Sequence, residues 1–382
     1  MSRNDFEVIV VGGGPAGATC ALHLASAGVD VALLEKTTIP RFKLCAGGFS
    51  SRAKSLLGLD VDAAVLNNVD AVEFLGHHRL RLRKDSPAIF GWVVNRERFD
   101  ALIVEEARKA GCVVQDRSEV TGVRIGDDGV EVSCRDGSMY RARGIVGADG
   151  ARSVVRKGLG AAKIRRRGVT VMYELRPISP DAKIDNIIKF DFGVVPYGYL
   201  WIFPYGKKLS VGAMTSQDNL PGAKDLVQSY IAEDDYLSSG FEANFLGGRV
   251  VPFWRGERPL GGARCILAGD AAGFIDAFVG EGLSWAIKSG KIAAFAVLAS
   301  RNGDGRLNHL YPEYLGRLKR EIFPELRRAY WFGRTAYRHR ELVFKGVSRL
   351  ARSTDLFAEI AESEISYKSL IWKTISQFLR GN

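Results

Sequence analysis

Cysteine is scarce in this chain of 382 residues. Cys20, Cys45, Cys112, Cys134 and Cys265 are scattered, with no C-x-x-C pair. That spacing supports neither a disulfide framework nor a zinc site, so reduced thiols and no metal are expected. Long apolar runs are also lacking. The longest, Phe6 to Val11 and Val29 to Leu34, fall far short of the roughly 20 residues that cross a bilayer, and no transmembrane helix is expected. The N-terminus passes from Met1-Ser2-Arg3-Asn4-Asp5 straight into an apolar strand. Without the basic, apolar and small-residue zones of an export signal, a cytoplasmic protein is expected. Acidic residues are in deficit, leaving a formal net charge of +11. From Arg317 to Arg380 there are 14 Lys+Arg against 7 Asp+Glu, and Lys163-Ile164-Arg165-Arg166-Arg167 forms a second basic cluster. Such patches suit anionic lipid at the inner face of a membrane, or are simply a solvated basic face, the commoner case; nucleic acid is the less favoured partner.

What is present is ample material for a core. With 46% hydrophobic and 25% charged residues, the chain can bury a large interior, and two lobes are expected. Glu7-Val8-Ile9-Val10-Val11 reads as a buried strand, and Gly12-Gly13-Gly14-Pro15-Ala16-Gly17 follows it at once. Gly12, Gly14 and Gly17 have the G-x-G-x-x-G spacing. A helical stretch from Ala18 to Ala27, Gly28 as its stop, and a second strand from Val29 to Leu34 closing on Glu35 complete a βαβ opening. In such a unit the glycines let the backbone approach a pyrophosphate, the helix N-terminus offers free N–H groups, and an acidic residue at position 35 can accept ribose hydroxyls.

Two later motifs decide between the dinucleotides NAD and FAD. Gly144-Ile145-Val146-Gly147-Ala148-Asp149-Gly150 is a strand running into an Asp-Gly turn, with Ser153 and Arg156 at a helix start. Ile266-Leu267-Ala268-Gly269-Asp270-Ala271-Ala272-Gly273 is another strand ending on Gly-Asp. An Asp there can bind a polyol, and FAD has one in its ribityl chain. Gly280-Glu281-Gly282-Leu283 then opens a helix from Ser284 to Leu298, whose N-terminal N–H groups could face the flavin pyrimidine.

With these motifs in this order, the chain resembles the superfamily of FAD-dependent flavoprotein hydroxylases and geranylgeranyl reductases. The resemblance implies an α/β fold: a Rossmann-like FAD lobe built from discontinuous segments, an antiparallel-sheet substrate lobe and a helical C-terminal region. It implies that Gly12, Gly14, Ala16, Gly17, Glu35 and Lys36 hold the ADP half, with Val120, Asp149 and Gly150 near it, that Gly269 and Asp270 bind ribityl, and that Gly280, Gly282 and Leu283 touch the isoalloxazine. In Val94-Asn95-Arg96-Glu97-Arg98-Phe99-Asp100, Arg96 would reach the phosphate or ribityl region, or else be a surface helix residue. No second strand-linked G-x-G-x-x-G is visible, so NAD(P)H binds transiently or another electron donor serves.

Two segments pull the resemblance toward the geranylgeranyl reductases. Pro40-Arg41-Phe42-Lys43-Leu44-Cys45-Ala46-Gly47-Gly48 resembles that family's cysteine before a glycine pair, placing Cys45, Ala46 and Gly47 at the cofactor. Tyr199-Leu200-Trp201-Ile202-Phe203-Pro204 matches its Y-x-W-x-F-P strand, with Gly212 following at about the family's distance. Alternation puts Tyr199, Trp201 and Phe203 on one face, as a wall for an apolar isoprenoid substrate or as ordinary core. Reducing an isolated alkene requires a proton, which Cys45 could give; otherwise it is a small buried hydrophobe. Cys20 and Cys265 read as core. The chain departs from the family at Ala277, where relatives place proline, and at Ala213-Met214, where a second glycine is usual. The strand also resembles the halogenase G-W-x-W-x-I-P strand, which keeps an FAD-dependent monooxygenase or halogenase as the alternative.

The expected FAD lobe is 1–72, 94–165 and 253–310, the substrate lobe 73–93 and 166–252, and the helical region 311–382. Strands are expected from Val169 to Leu175, Ile187 to Phe192, Tyr199 to Phe203 and Lys208 to Met214. In the tail, Leu318, Ile322 and Leu326, then Tyr367, Ile371, Ile375 and Phe378, recur at near-helical intervals, with Pro324 expected to bend the first stretch. That apolar and basic tail would cap a domain or dock on a membrane surface.

Overall fold

The run Val8–Val11 is buried on both sides, the pattern of a central parallel strand covered by helices on each face. In the computed structural model, which describes residues 4–76, 81–85, 91–161, 164, 168–301, 307, 309–341, 366–369, 372 and 376, this strand lies inside an eight-stranded sheet. Parallel strands run in the order Cys265–Leu267, Met139–Gly147, Asp5–Val11, Val31–Leu34 and Val113–Gln115. Val120–Ile125 and Val130–Cys134 branch from it as an antiparallel arm. Helices Pro15–Ser26, Arg96–Lys109 and Leu283–Ser300 pack together over the sheet.

A seven-stranded sheet forms the second layer, in the order Phe241–Val251, Gly168–Pro177, Leu209–Thr215, Gly198–Pro204, Ile187–Asp191, Ala71–Leu75 and Arg81–Asp85. The four strands expected from sequence pair antiparallel with one another. The exception lies next to them: Ile187–Asp191 pairs in parallel with Ala71–Leu75, a partner more than a hundred residues earlier that local patterning cannot reveal. One face, with Leu200, Ile202 and Val211, packs on helices Ala223–Glu233 and Asp235–Gly240 through Val227, Ile231 and Leu237. The other face, with Met172, Tyr199, Trp201 and Phe203, packs on Val93, Ile275 and Ala277. Covered on both sides, Gly198–Pro204 buries all of its residues. A small sheet of Gly48–Phe49, Gly91–Val94 and Val65–Val69 bridges the layers.

Helices Leu310–Glu321 and Phe323–Arg338 follow. Pro324 does not bend a continuous helix. It occupies the first turn of the second one, where its missing N–H leaves nothing unsatisfied. Leu318, Ile322 and Leu326 have no exposed surface and belong to the main core cluster, so this stripe caps the larger sheet. Lys163, Arg165, Arg166 and Arg167 of the basic cluster, and Ile371, Ile375 and Phe378 of the tail, lie outside the described residues. Among those described, no helix is long and apolar enough to cross a membrane.

Candidate functional site

Four parallel strands deliver their carboxyl ends to one place, the end of such a sheet where ligands bind. Asp5–Val11 leads to Gly12, Val31–Leu34 to Glu35, Met139–Gly147 to Asp149 and Cys265–Leu267 to Asp270. There the backbones touch where side chains would not fit. A Cβ on Gly17 would lie 1.9 Å from Gly12 O, one on Gly12 (φ +105°) 2.4 Å from Ala148 O, and one on Gly290 2.3 Å from Ala16 O. A Cβ on Gly269 would meet that of Ala16 at 2.9 Å. The amino end of helix Pro15–Ser26 is thus gripped from three sides. Gly14, its N-cap, has no side-chain cap, and only Arg41 Nη2, 3.6 Å from its Cβ position, stands over it. The first N–H groups of the helix remain free for an anion.

Glu35 is buried and its Oε2 accepts the Gly13 N–H at 2.8 Å. Its Oε1 accepts from Thr37 Oγ1 at 3.0 Å and faces Arg41 Nε at 3.4 Å. Arg41 Nη1 reaches Asp100 at 3.1 Å, and Asp100 in turn accepts two bonds from Arg96, at 2.9 and 3.1 Å. Arg96 is therefore no surface residue: it is 8% exposed. Burial opposes its charge, and Asp100 more than offsets this, raising the guanidinium above its ordinary pKa. Lys36 is exposed beside Glu35. Val120 is buried at the start of its strand, and Ser118, two residues earlier, donates its N–H to Glu35 O at 2.8 Å. Arg41 and Asp100 complete this network without belonging to a recognised motif. The i,i+4 spacing of Arg96 and Asp100 is the signal that could have found one of them.

Asp149 is a helix cap: its Oδ2 accepts the N–H groups of Val154 and Val155 at 2.6 and 3.2 Å. Its Oδ1 is buried without a partner, and burial raises the carboxyl pKa. Gly150 (φ +80°) follows with open space beside it. Asp270 is half-buried in the short helix Gly269–Ala272, with Oδ1 3.9 Å from the Cβ position of Gly282. Lys43, also half-buried, has its pKa lowered first by burial, while Asp270 opposes the shift.

The Gly280–Leu283 turn is held by its neighbours. Glu281 accepts the Ser284 N–H at 2.6 Å and pairs with Arg52 at 3.2 Å, and Leu283 starts helix Leu283–Ser300. Gly280 (φ +69°) has Met214 Sδ 2.4 Å from its Cβ position. Tyr199 donates to Val279 O at 2.5 Å, and Tyr337 donates to Phe278 O. Asp276, fully buried, accepts from Phe278 N, Val279 N and, at 2.7 Å, Tyr367 Oη. Burial raises its pKa to about 6. Neither Asp276 nor the tyrosines 337 and 367 carries a local motif; only the tertiary fold gathers them.

Cys45 is half-buried, and its Sγ accepts the Gly47 N–H at 3.4 Å. Its charge would be felt at Arg96, Lys43, Tyr199 and Tyr205, which places it between the cofactor end and the second sheet. Ala46 packs on the aromatic cluster, and the Cβ positions of Gly47 (φ +85°) and Gly48 lie 3.2 Å from Tyr205 and Phe203. Tyr199, Trp201 and Phe203 share one face, as alternation requires, but each is at most 7% exposed. The rings with open surface are Phe190 and Phe192. Phe190 packs edge-on against Tyr199 and Phe203 at 5.2 and 5.3 Å, and Phe192 continues the row to Phe278 at 6.0 Å. Cys20, Cys112, Cys134 and Cys265 are buried, and burial raises each thiol pKa, that of Cys265 to about 12.

A free helix N-terminus, a buried ribose-side carboxylate and a polyol-side Asp on adjacent strand ends fit FAD, and the fold with this site defines an FAD-dependent oxidoreductase. Residues 5–195 match the FAD binding domain family. Geranylgeranyl diphosphate reductase of Rhodobacter capsulatus is 31% identical over 314 residues, covering 77% of this chain and 75% of that one. Digeranylgeranylglycerophospholipid reductase 2 of Methanosphaera stadtmanae is 26% identical over 330 residues, covering 80% and 81%. A solved geranylgeranyl bacteriochlorophyll reductase-like structure from Thermoplasma acidophilum has a TM-score of 0.77 at 24% identity, with 88% of each chain covered. The chain belongs to the geranylgeranyl reductase family of FAD-dependent oxidoreductases, with FAD as its cofactor. A flavin-dependent brominase has a TM-score of 0.74 at 20% identity over 99% of this chain and 100% of its own, a likeness of fold alone.

Proposed function

We propose that this oxidoreductase saturates carbon–carbon double bonds of an isoprenoid chain borne on a lipid, quinone or prenyl diphosphate. The observation that carries the reading is the seat of Cys45: a half-buried thiol in a segment packed on an aromatic face beside the cofactor cradle. An apolar chain needs such a wall, and an isolated alkene needs a proton donor within reach. The substrate-bearing names of the relatives support the same class.

Bound FAD would supply the hydride, after reduction by transient NAD(P)H or another donor. The chain's own residues have separate tasks. Phe190 and Phe192 orient the alkene and exclude water, while Tyr199, Trp201 and Phe203 back them from the core. Cys45 Sγ gives the proton. Gly12, Gly14, Gly17, Glu35 and Asp270 hold the cofactor, with Arg41 joining Glu35 to the Asp100–Arg96 pair. Catalysis falls between the lobes, and the basic C-terminal region would bring the protein to the membrane surface where such chains reside.

The test is anaerobic. The FAD-loaded protein is reduced with dithionite, a broad panel of geranylgeranyl lipids and diphosphates is added, and flavin reoxidation is followed with product mass. Reoxidation with a gain of two hydrogens per event is expected; flavin that stays reduced until oxygen enters sinks the reading and favours a monooxygenase. Cys45→Ser should keep its FAD and lose alkene reduction, and unchanged turnover would remove the proton-donor role.

A further inference from the structure

Arg258 has a positive charge that no described group answers. It lies half-buried between Trp254 and the strand Gly261–Gly262, and its guanidinium makes no hydrogen bond or ion pair. Its sequence neighbour Glu257 is paired with Arg327 instead. Arg258 Nη2 stands 3.8 Å from the Cβ position of Gly273, the left-handed residue (φ +73°) that ends helix Gly269–Ala272.

Two more guanidiniums converge on this corner. Arg156, buried, comes from helix Val154–Gly158 and donates to Ala271 O in the same turn. Arg255 donates to Ser216 O in the second lobe. The three are close enough to repel. Burial and then Arg258 lower Arg156 to about 10, and burial and then Arg255 lower Arg258. Asp149 is the one carboxylate whose field reaches Arg156, and it is engaged in capping helix Val154–Gly158.

Crowding partly desolvated cations without a counter-charge is unfavourable, and an anion that accepts from the free guanidinium fork reverses the sign. We propose that Arg258, with Arg156 and Arg255 behind it, forms a site for a phosphate-bearing anion at the junction of the two sheets. The site is distinct from the FAD cradle. Asp270 at the start of the shared turn faces Gly282, whereas Gly273 at its end faces Arg258. A phosphate there is the anionic end of a free small molecule, such as a prenyl diphosphate or a phosphorylated reductant, or of a lipid headgroup.

The FAD-loaded full chain, its cradle thereby filled, is titrated calorimetrically with inorganic pyrophosphate and, separately, with vesicles of neutral or anionic phospholipid. Saturable binding of one or the other is expected, weakened about tenfold in Arg258→Gln, as for loss of a charge-assisted bond. Arg258→Lys, which keeps the charge but loses the fork, should fall between. Flavin content and visible spectrum should be unchanged in both variants, which also shows that they fold. Pyrophosphate binding assigns a free phosphate, and Arg258-dependent binding of anionic vesicles alone assigns a headgroup. Binding of neither, or equal binding by wild type and both variants, overturns the site.

Discussion

Arg96 and Asp100, one helical turn apart, form a two-pronged ion pair inside the protein, Nε to Oδ1 at 2.9 Å and Nη2 to Oδ2 at 3.1 Å. Asp100 is only 2% exposed and also accepts from Arg41, so it compensates two cations. Removing one partner of a buried pair leaves the other charge stranded, which costs about 3–5 kcal/mol, whereas replacing both by apolar groups is often neutral. Asp100→Ala should therefore lower unfolding free energy in urea by about that much, and Arg96→Met/Asp100→Leu should recover part of it, with Arg41 still uncompensated. A loss in Asp100→Ala below about 1 kcal/mol would mean that water or movement relieves the stranded charges.

The glycine spacings, Glu35, the two Gly-Asp turns and the Y-x-W-x-F-P strand were legible in the sequence because each is local. A strand, a tight turn and a helix start leave their marks within a few residues. Long-range partners leave none. The parallel pairing of Ala71–Leu75 with Ile187–Asp191, the reach of Arg41 to Asp100 and the clamp of Tyr367 on Asp276 depend on segments brought together by the core. Pro324 misled because a proline inside a helical pattern can bend one helix or begin another, and the chain turn at Ile322 decides. The aromatic triplet was ambiguous for a related reason: alternation gives a shared face but not what covers it, and here Phe190 and Phe192 stand in front.

Trp201 fills the space left by the missing side chain of Gly212. A Cβ there would sit 2.3 Å from Trp201 Cζ2 and 2.4 Å from Val171 O, while the indole Nε1 is fixed to Ser210 Oγ at 3.1 Å. Overpacking of this kind costs about 1–3 kcal/mol, and Gly212→Ala should show it in denaturant unfolding. Shrinking the ring relieves one of the two clashes, so Gly212→Ala with Trp201→Phe should be less destabilised than the sum of the single variants, by about 0.5–3 kcal/mol. Simple additivity would show that the backbone contact alone sets the cost.

Gly290 lies in the middle of helix Leu283–Ser300, where alanine is ordinarily the better residue by about 1 kcal/mol. Here the sign should reverse. Its Cβ position is 2.3 Å from Ala16 O and 3.2 Å from Ala16 Cα, so a methyl group pushes the helix away from the amino end of Pro15–Ser26. Gly290→Ala should lower the melting temperature and reduce the FAD retained through gel filtration. A stabilised variant with full flavin content would show that the two helices do not need this approach.

Asp276 ties the Gly280–Leu283 turn to the pH of the medium. Its carboxyl is fully buried, and its pKa rises to about 6 because burial disfavours the charged form. Since the folded pKa exceeds that of the unfolded chain, about 3.9, the folded state binds the extra proton between the two values. The stabilisation is fully present below about pH 4 and is lost as pH rises through about 6, a change of about 2–3 kcal/mol. Asp276→Asn removes the titration while keeping an acceptor for the N–H groups of Phe278 and Val279. The difference in unfolding free energy, wild type minus variant, should therefore fall across that window and stay flat above about pH 7. Because Tyr367 donates to the same carboxyl, Tyr367→Phe should shift the fall to higher pH, as expected when a bond favouring the ionised form is lost. Parallel curves for wild type and Asp276→Asn would mean that the carboxyl does not titrate in this range, and that its three donors outweigh its burial.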